Sequence, residues 1–133
     1  MSSQNKCTWI SESVVVAIHE AQIAEHGGRL GIRDAGLLES ALVRPQMTAA
    51  YTDADIPQLA ALYALGVLKN HPFIDGNKRV GAVLLETFLT LNDGELVASD
   101  AELLRAIIQV ASSTWSEDQF IAWVREHTRL NGA

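Results

Sequence analysis

The chemically richest part of the sequence is a nine-residue stretch, which we call the 71–79 segment. It reads His71-Pro72-Phe73-Ile74-Asp75-Gly76-Asn77-Lys78-Arg79. It holds a histidine, a carboxylate, a turn pair, an amide and two cations, and long apolar stretches flank it on both sides. No other part of the 133 residues concentrates so many reactive side chains. This segment is therefore the candidate site.

The second half of the segment has the composition of a phosphate-binding helix start. Asp75-Gly76 is a turn pair and Asn77 is a good helix cap, so a helix is predicted to begin there. Lys78 and Arg79 then lie in its first turn, where the helix dipole makes each cation unfavourable by about 0.3–1 kcal/mol. A bound anion relieves this cost, because free N–H groups point to the same place. Arg79 can bind phosphate through two hydrogen bonds, and Lys78 can bind it as a point charge.

His71 and Asp75 complete a set of groups for transfer to a hydroxyl. Pro72 disfavours helical backbone at His71, so the preceding helix is predicted to end there with the imidazole partly exposed. Imidazole titrates near neutral pH and can accept a proton from a hydroxyl nucleophile. Mg²⁺ takes one or two carboxylates together with substrate phosphates, and Asp75 can supply one. The pattern predicts proton abstraction beside a nucleotide–Mg²⁺ site; the alternative is an ordinary polar turn followed by a solvated cation pair.

The rest of the sequence offers no competing reaction centre. His19-Glu20 lacks the second histidine of the zincin pattern, and neither His26 nor His127 has a nearby Cys or His for zinc. The sequence contains no Gly-x-Ser-x-Gly elbow and no glycine-rich nucleotide loop. Cys7 lies near the N-terminus and is a poor nucleophile candidate.

The composition is that of one globular domain. The chain is 48% hydrophobic and 20% charged, which is apolar enough for a core without disulfides or metal. Its net charge of −6 gives no general attraction to nucleic acid, so anion binding must be local. A single cysteine fits a reducing compartment, and neither a signal peptide nor a long apolar run is evident. We expect a cytoplasmic single domain over residues 1–133, with its core at about 9–128 and no membrane contact.

About six helices, with weak strand signals at most, are predicted to position the 71–79 segment. The helices on either side of it, over residues 56–70 and 77–92, are apolar almost all round and should be buried. Gly66 and Gly81 would let these two helices approach closely.

The remaining helices are indicated by caps and stops. A helix over residues 12–26 follows Ser11, and two more begin near Ser99 and Ser116. A short helix capped by Asp34 should end near Arg44, because Pro45 follows it, which leaves residues 46–56 mainly irregular.

The 71–79 segment is similar to the signature loop of the Fic/Doc superfamily. Lys78 resembles the Doc (death-on-curing) branch, since the Fic branch usually carries glycine at that place. Residues 32–46 are also similar to Doc-type proteins, and the resemblance spans roughly residues 12–92. It implies a compact all-α bundle with the signature loop between two buried central helices.

The resemblance also implies roles for the side chains. His71 would be the general base that activates a hydroxyl, and Asp75 would help to hold Mg²⁺ or orient His71. The anion hole and the phosphate contacts would come from the residues at the start of the following helix: Gly76, Asn77, Lys78 and Arg79.

By the same resemblance the chain would be a toxin of a toxin–antitoxin system. Doc toxins transfer the γ-phosphoryl group of ATP to elongation factor Tu, whereas Fic enzymes transfer AMP. Pro72 and Gly76 are common in Fic loops, so Lys78 alone leaves AMP transfer open, and a non-catalytic nucleotide- or antitoxin-binding domain is a further alternative. The resemblance implies ATP and Mg²⁺ as cofactors, an antitoxin whose C-terminal segment folds on the toxin, and a target-docking flap at about residues 46–57.

Overall fold

Six α-helices and one short pair of strands make up residues 7–131, the part of the chain that our computed structural model describes. In chain order they are α1 (Glu12–His26), α2 (Ala35–Tyr51), α3 (Ile56–Asn70), α4 (Asn77–Leu91), β1 (Gly94–Leu96), α5 (Asp100–Ala111), α6 (Glu117–Glu126) and β2 (Thr128–Leu130). The predicted all-α class with six helices is confirmed. Within the described residues, none of the helices has the length and apolar character needed to cross a bilayer.

The two central helices α3 and α4 form the buried hairpin that the sequence indicated. Residues 59–68 of α3 are buried without interruption, and α4 adds Val80, Leu84 and Phe88 at 0% exposure. Gly81 lies against α3, where an added Cβ would come within 3.5 Å of the Ala64 carbonyl oxygen. Because both helices are apolar almost all round, the other four pack around them and the 71–79 segment closes one end.

Gly66 contacts a different helix from the one expected. It faces α2 and not α4, and an added Cβ would lie 3.1 Å from both the Cβ and the carbonyl oxygen of Ala41. This spacing is tighter than ordinary van der Waals contact, so the approach of α2 to α3 depends on a glycine at this position.

The predicted end of the second helix at Arg44 is wrong, because α2 continues through Pro45 to Tyr51. Proline cannot donate the hydrogen bond that would reach the Ala41 carbonyl. In return its ring is buried in the core, and Thr48 Oγ1 bonds the Arg44 carbonyl at 2.9 Å in the same turn. Burial of the ring outweighs the lost bond, and the irregular connection shrinks to residues 52–55.

Local capping signals were reliable for the five helices other than α4. The N-caps are Ser11, Asp34, Asp55, Ser99 and Ser116, and each side chain accepts a hydrogen bond from a backbone N–H of the first turn. The last two form complete capping boxes. The short sheet pairs β1 with β2 in antiparallel register, with Glu95 opposite Arg129 and bonded to it, and ties the C-terminal end of the described chain to the end of α4.

Asp55 connects α3 to α6 as well as capping α3. Its Oδ1 accepts from the Gln58 N–H at 3.0 Å, and its two carboxylate oxygens accept from the Arg125 guanidinium at 2.8 and 3.1 Å. Burial alone would raise the pKa of Asp55, but its bonds to Arg125 and to the Gln58 N–H hold that pKa below the ordinary value. Both side chains are about half exposed, which limits what the ion pair contributes.

We expect Asp55→Ala to lower the free energy of unfolding by about 1–2 kcal/mol, because it removes a cap and an ion pair together. Asp55→Asn should lower the free energy of unfolding by less, because it keeps the capping oxygen and loses only the ion pair. Arg125→Ala removes the same ion pair and should lower it by the same amount as Asp55→Asn. A lowered pKa means that the ion pair contributes fully above the unfolded-state pKa and is lost as the pH falls through the folded-state pKa. Urea denaturation at neutral pH and below pH 4 measures this, and equal losses for Ala and Asn variants would contradict the capping role.

Candidate functional site

His71 lies at the C-terminal end of α3, in the C-cap position. Its backbone is left-handed, at φ 48° and ψ 56°, which costs a residue with a side chain about 1–2 kcal/mol. Pro72 explains the end of the helix, since the residue before a proline avoids helical geometry. The side chain is exposed, so the imidazole can be reached from solvent.

Arg33 holds the backbone of His71 in this unusual conformation. Its Nε donates to the His71 carbonyl at 2.7 Å and its Nη2 to the Asn70 carbonyl at 2.8 Å. A guanidinium at the negative end of α3 also suits the helix dipole. The sequence reasoning missed Arg33, which lies 38 residues before His71 and carries no local signal for this role.

Asn77 does not cap α4, and the prediction that it would do so is wrong. The N-cap residue is Gly76, at φ 84°, and Asn77 is already inside the helix. The Asn77 side chain turns back into the loop, where Oδ1 accepts from the Phe73 N–H at 3.1 Å and Nδ2 donates to the Phe73 carbonyl at 2.9 Å. Nδ2 also lies 3.5 Å from His71 Nδ1. Asn77 is 7% exposed, so it clamps the loop from inside.

The start of α4 is consequently left without a side-chain cap. The first N–H groups of a helix have no partner within the helix, so here they remain available to an external acceptor. Lys78 and Arg79 are both exposed beside them. Gly76 is required at this turn, because its φ is left-handed and an added Cβ would lie 3.3 Å from Ile23 Cδ1. These features together make a site for an anion.

Asp75 stands on the other side of the same turn. Its Oδ2 accepts from the Arg29 N–H at 2.8 Å, and Oδ1 has no hydrogen bond within the described part of the chain. Among the described residues there is no group of three or more side chains that could hold a metal ion. Asp75 could supply one carboxylate ligand to Mg²⁺ that arrives with a nucleotide.

Residues 27–34, which we call the 27–34 segment, run antiparallel to the start of the 71–79 segment. Ile32 pairs with Phe73, the Ile74 N–H donates to the Gly31 carbonyl at 3.1 Å, and the Pro72 carbonyl accepts from the Arg33 N–H at 2.6 Å. The segment therefore forms one wall beside His71.

The residues predicted as a flap or a plain surface loop, 46–57, lie mostly at the other end of α3 from His71. Most of these residues belong to the end of α2 and to the short connection that precedes α3. His71 is at the opposite end of α3, and a helix of 15 residues is about 22 Å long at 1.5 Å per residue. A target that docked only at residues 46–57 would have to extend about 22 Å along α3 to reach the imidazole.

One cleft of about 380 Å³ contains every residue that the sequence singled out for chemistry. Its lining is Gln22, Ile23, His26, Gly27, Gly28, His71, Asp75, Gly76, Asn77, Lys78 and Arg79. A second cleft of about 340 Å³ shares three of these residues, Gln22, His26 and Arg79. It continues along α4 to Glu86 and reaches Asp100 at the start of α5. Burial, and then the charge of Asp100, raise the pKa of the Glu86 carboxyl. The two clefts together offer room for more than a phosphate group.

Comparison with known proteins agrees with this geometry. A family model described as the Fic/DOC family matches residues 9–89. The chain is 42% identical to "Toxin Doc" of Mycolicibacterium smegmatis over 83 residues, which are 60% of this chain and 62% of that protein. It is 32% identical to "Protein kinase doc" of Escherichia phage P1 over 104 residues, which are 77% of this chain and 82% of that protein.

The clamp formed by Asn77 can be distinguished from a cap by Asn77→Asp. Aspartate is as good a cap as asparagine, but it has no N–H for the Phe73 carbonyl and would bury a charge beside it. We therefore expect a loss of about 2 kcal/mol or more in unfolding free energy at neutral pH. The loss should shrink as the pH falls, because a protonated carboxyl can donate to that carbonyl. Denaturation that shows no change for Asn77→Asp would restore the capping assignment.

Proposed function

The chain belongs to the Fic/DOC family, and from that premise we propose that it is a Doc-type toxin that phosphorylates a protein. It would transfer the γ-phosphoryl group of ATP, bound with Mg²⁺, to a Ser or Thr hydroxyl of a translation protein, by resemblance elongation factor Tu. The observation that carries the proposal is the uncapped start of α4, where Lys78 and Arg79 share one cleft with the exposed His71.

The phosphate groups of the nucleotide bind at the start of α4. Positive charge is concentrated at this point by the free helix N–H groups, the Lys78 ammonium and the Arg79 guanidinium. Phosphoryl transfer needs stabilisation of charge on the equatorial oxygens more than it needs covalent chemistry, and fixed donors provide it. Mg²⁺, held by Asp75 and the phosphates, would neutralise charge on the leaving group.

His71 removes the proton of the target hydroxyl. The hydroxyl oxygen attacks the γ-phosphorus, the bond from that phosphorus to the β,γ-bridging oxygen breaks, and ADP leaves with the electron pair. The Asn77 amide nitrogen lies 3.5 Å from His71 Nδ1, at the outer limit of a hydrogen bond. His71 accepts the proton on Nε2 in the tautomer that carries its own hydrogen on Nδ1. Arg33 keeps the backbone of His71 in place throughout.

The target docks along the 27–34 segment, not at residues 46–57. The segment is bonded to the backbone on both sides of Phe73, so whatever binds it is held beside His71. Its Leu30 and Ile32 side chains are 59% and 42% exposed, and Ile74 next to them is 39% exposed. These exposed apolar side chains, carried by the two paired segments, suit apolar residues flanking the target hydroxyl.

A cognate antitoxin is part of the proposal, supported by the toxin relative from Mycolicibacterium smegmatis. AMP transfer from the same cleft is the second candidate. It is favoured by the combination of Pro72 with Gly76, which resembles the Fic branch, and it would place the α-phosphorus of ATP where the γ-phosphorus otherwise lies.

We expect label from γ-labelled ATP, and not from α-labelled ATP, to appear on elongation factor Tu in the presence of Mg²⁺. His71→Ala should reduce the rate by about 10²–10⁴-fold, because a positioned base contributes that much. A chelator should abolish labelling. Transfer of the α-label would identify AMP transfer, and absence of both labels would favour a non-catalytic binding domain.

We expect Lys78→Ala and Arg79→Ala each to weaken Mg·ATP binding by about 10–100-fold, because each removes a charged contact to phosphate. Lys69→Ala is the matched control. Lys69 is exposed like Lys78 but lies near the end of α3, and it does not line the cleft that contains His71 and Lys78. Titration calorimetry measures the affinities. Equal affinity of the Lys78 and Lys69 variants would remove Lys78 from the phosphate site.

A further inference from the structure

We propose that His19 is a positioning residue of this site, which aims the backbone N–H of Gly76 into the nucleotide cleft. The inference rests on the proposed nucleotide-dependent function. Within residues 7–131 the buried polar side chains, apart from the Tyr63 hydroxyl that accepts from the Ile10 N–H, are His19, at 2% exposure, and Asn77. His19 and Asn77 both bond to the backbone of the 71–79 segment, His19 from α1 and Asn77 from within the segment itself.

His19 reaches the segment from the inner face of α1. Its Nε2 lies 2.9 Å from the Asp75 carbonyl oxygen, and its ring stacks on Phe73 with centroids 4.0 Å apart and planes 10° apart. A carbonyl oxygen only accepts hydrogen bonds, so Nε2 carries the hydrogen and donates it. Because this donor is buried, loss of its acceptor would leave an unsatisfied polar group in the core.

The bond from His19 fixes the orientation of the whole peptide unit between Asp75 and Gly76. The Asp75 carbonyl and the Gly76 N–H belong to the same peptide unit, which is planar with the two groups on opposite sides. When the carbonyl is held toward the buried His19, the Gly76 N–H must point away from the core. Because Asp75 and Gly76 both line the cleft, we infer that the N–H points into it. His19 thus orients a donor next to the uncapped start of α4.

The two buried side chains therefore control different halves of the site. Asn77 grips Phe73 and lies next to His71, on the side of the proton acceptor. His19 grips the Asp75–Gly76 peptide, on the side of the phosphate and the metal. Loss of the His19 bond should affect nucleotide binding and leave the titration of the base unchanged.

Two substitutions separate the contributions of the His19 side chain. His19→Phe keeps a ring to stack on Phe73 and has no donor. His19→Gln gives up the ring but places an amide N–H near the position of Nε2. Titration calorimetry with Mg·ATP reports affinity without turnover, and steady-state phosphorylation of elongation factor Tu reports KM, kcat and the pH profile of kcat.

We expect His19→Phe to weaken Mg·ATP binding by about tenfold and to raise KM for ATP similarly, as loss of one oriented donor predicts. His19→Gln should restore affinity to within about threefold of the wild type. The acid limb of the kcat profile should stay where it is in the wild type. Thermal unfolding of each variant shows whether it is folded.

Unchanged affinity in the Phe variant overturns the proposal, and so does an equal loss in the Phe and Gln variants. If the Phe variant fails to fold, the Gln variant decides, because it must still bind Mg·ATP within about threefold. If the wild type binds Mg·ATP but labels no protein, the proposed function is refuted and the role of His19 is not. The Mg·ATP affinities of the variants would then still test the role of His19. Normal phosphorylation by the wild type and the Phe variant, with equal KM, would refute His19 alone.

Discussion

The structure depends on one constraint: a polar loop must join two helices that are buried on nearly all sides. The loop needs exposed reactive groups outside and satisfied backbone groups inside, because an unpaired buried N–H or carbonyl costs about 1–3 kcal/mol. Asn77 meets this need by bonding both backbone groups of Phe73, and His19 bonds the carbonyl of Asp75, two residues further along. The Phe73 ring, 1% exposed, anchors the loop to the core between them. The exposed chemistry of the segment is held in place by these hidden contacts.

Much of this fold was readable from local sequence. Caps such as Ser11 and Ser116 act within four residues, so their chemistry is visible in the sequence itself. The apolar periodicity of α3 and α4 likewise predicted a buried pair. Pro45 was misleading because its local preference is to end a helix, and only burial of its ring against the core explains why α2 continues.

The errors at the site share one cause. Asn77 is a good cap by residue type, but its side chain has a second use, and only the folded loop brings the Phe73 backbone within reach. Arg33 and His19 were missed because their partners lie 38 and 56 residues away. The exposed residues of the candidate site were marked by their chemistry, whereas the residues that hold them in place were not.

These sequence separations have a consequence for the order in which the protein assembles. The contacts of the α3–α4 hairpin are local in sequence. The bonds from α1 and from the 27–34 segment close long loops, and the loss of chain entropy on closure precedes the stabilisation that these bonds provide. The hairpin, with His71 already on it, would therefore form before α1 brings His19 beneath Asp75. At that stage the chain would carry the exposed imidazole of His71 without the bond that orients the Asp75–Gly76 peptide. The candidate site would therefore be complete only after α1 has docked.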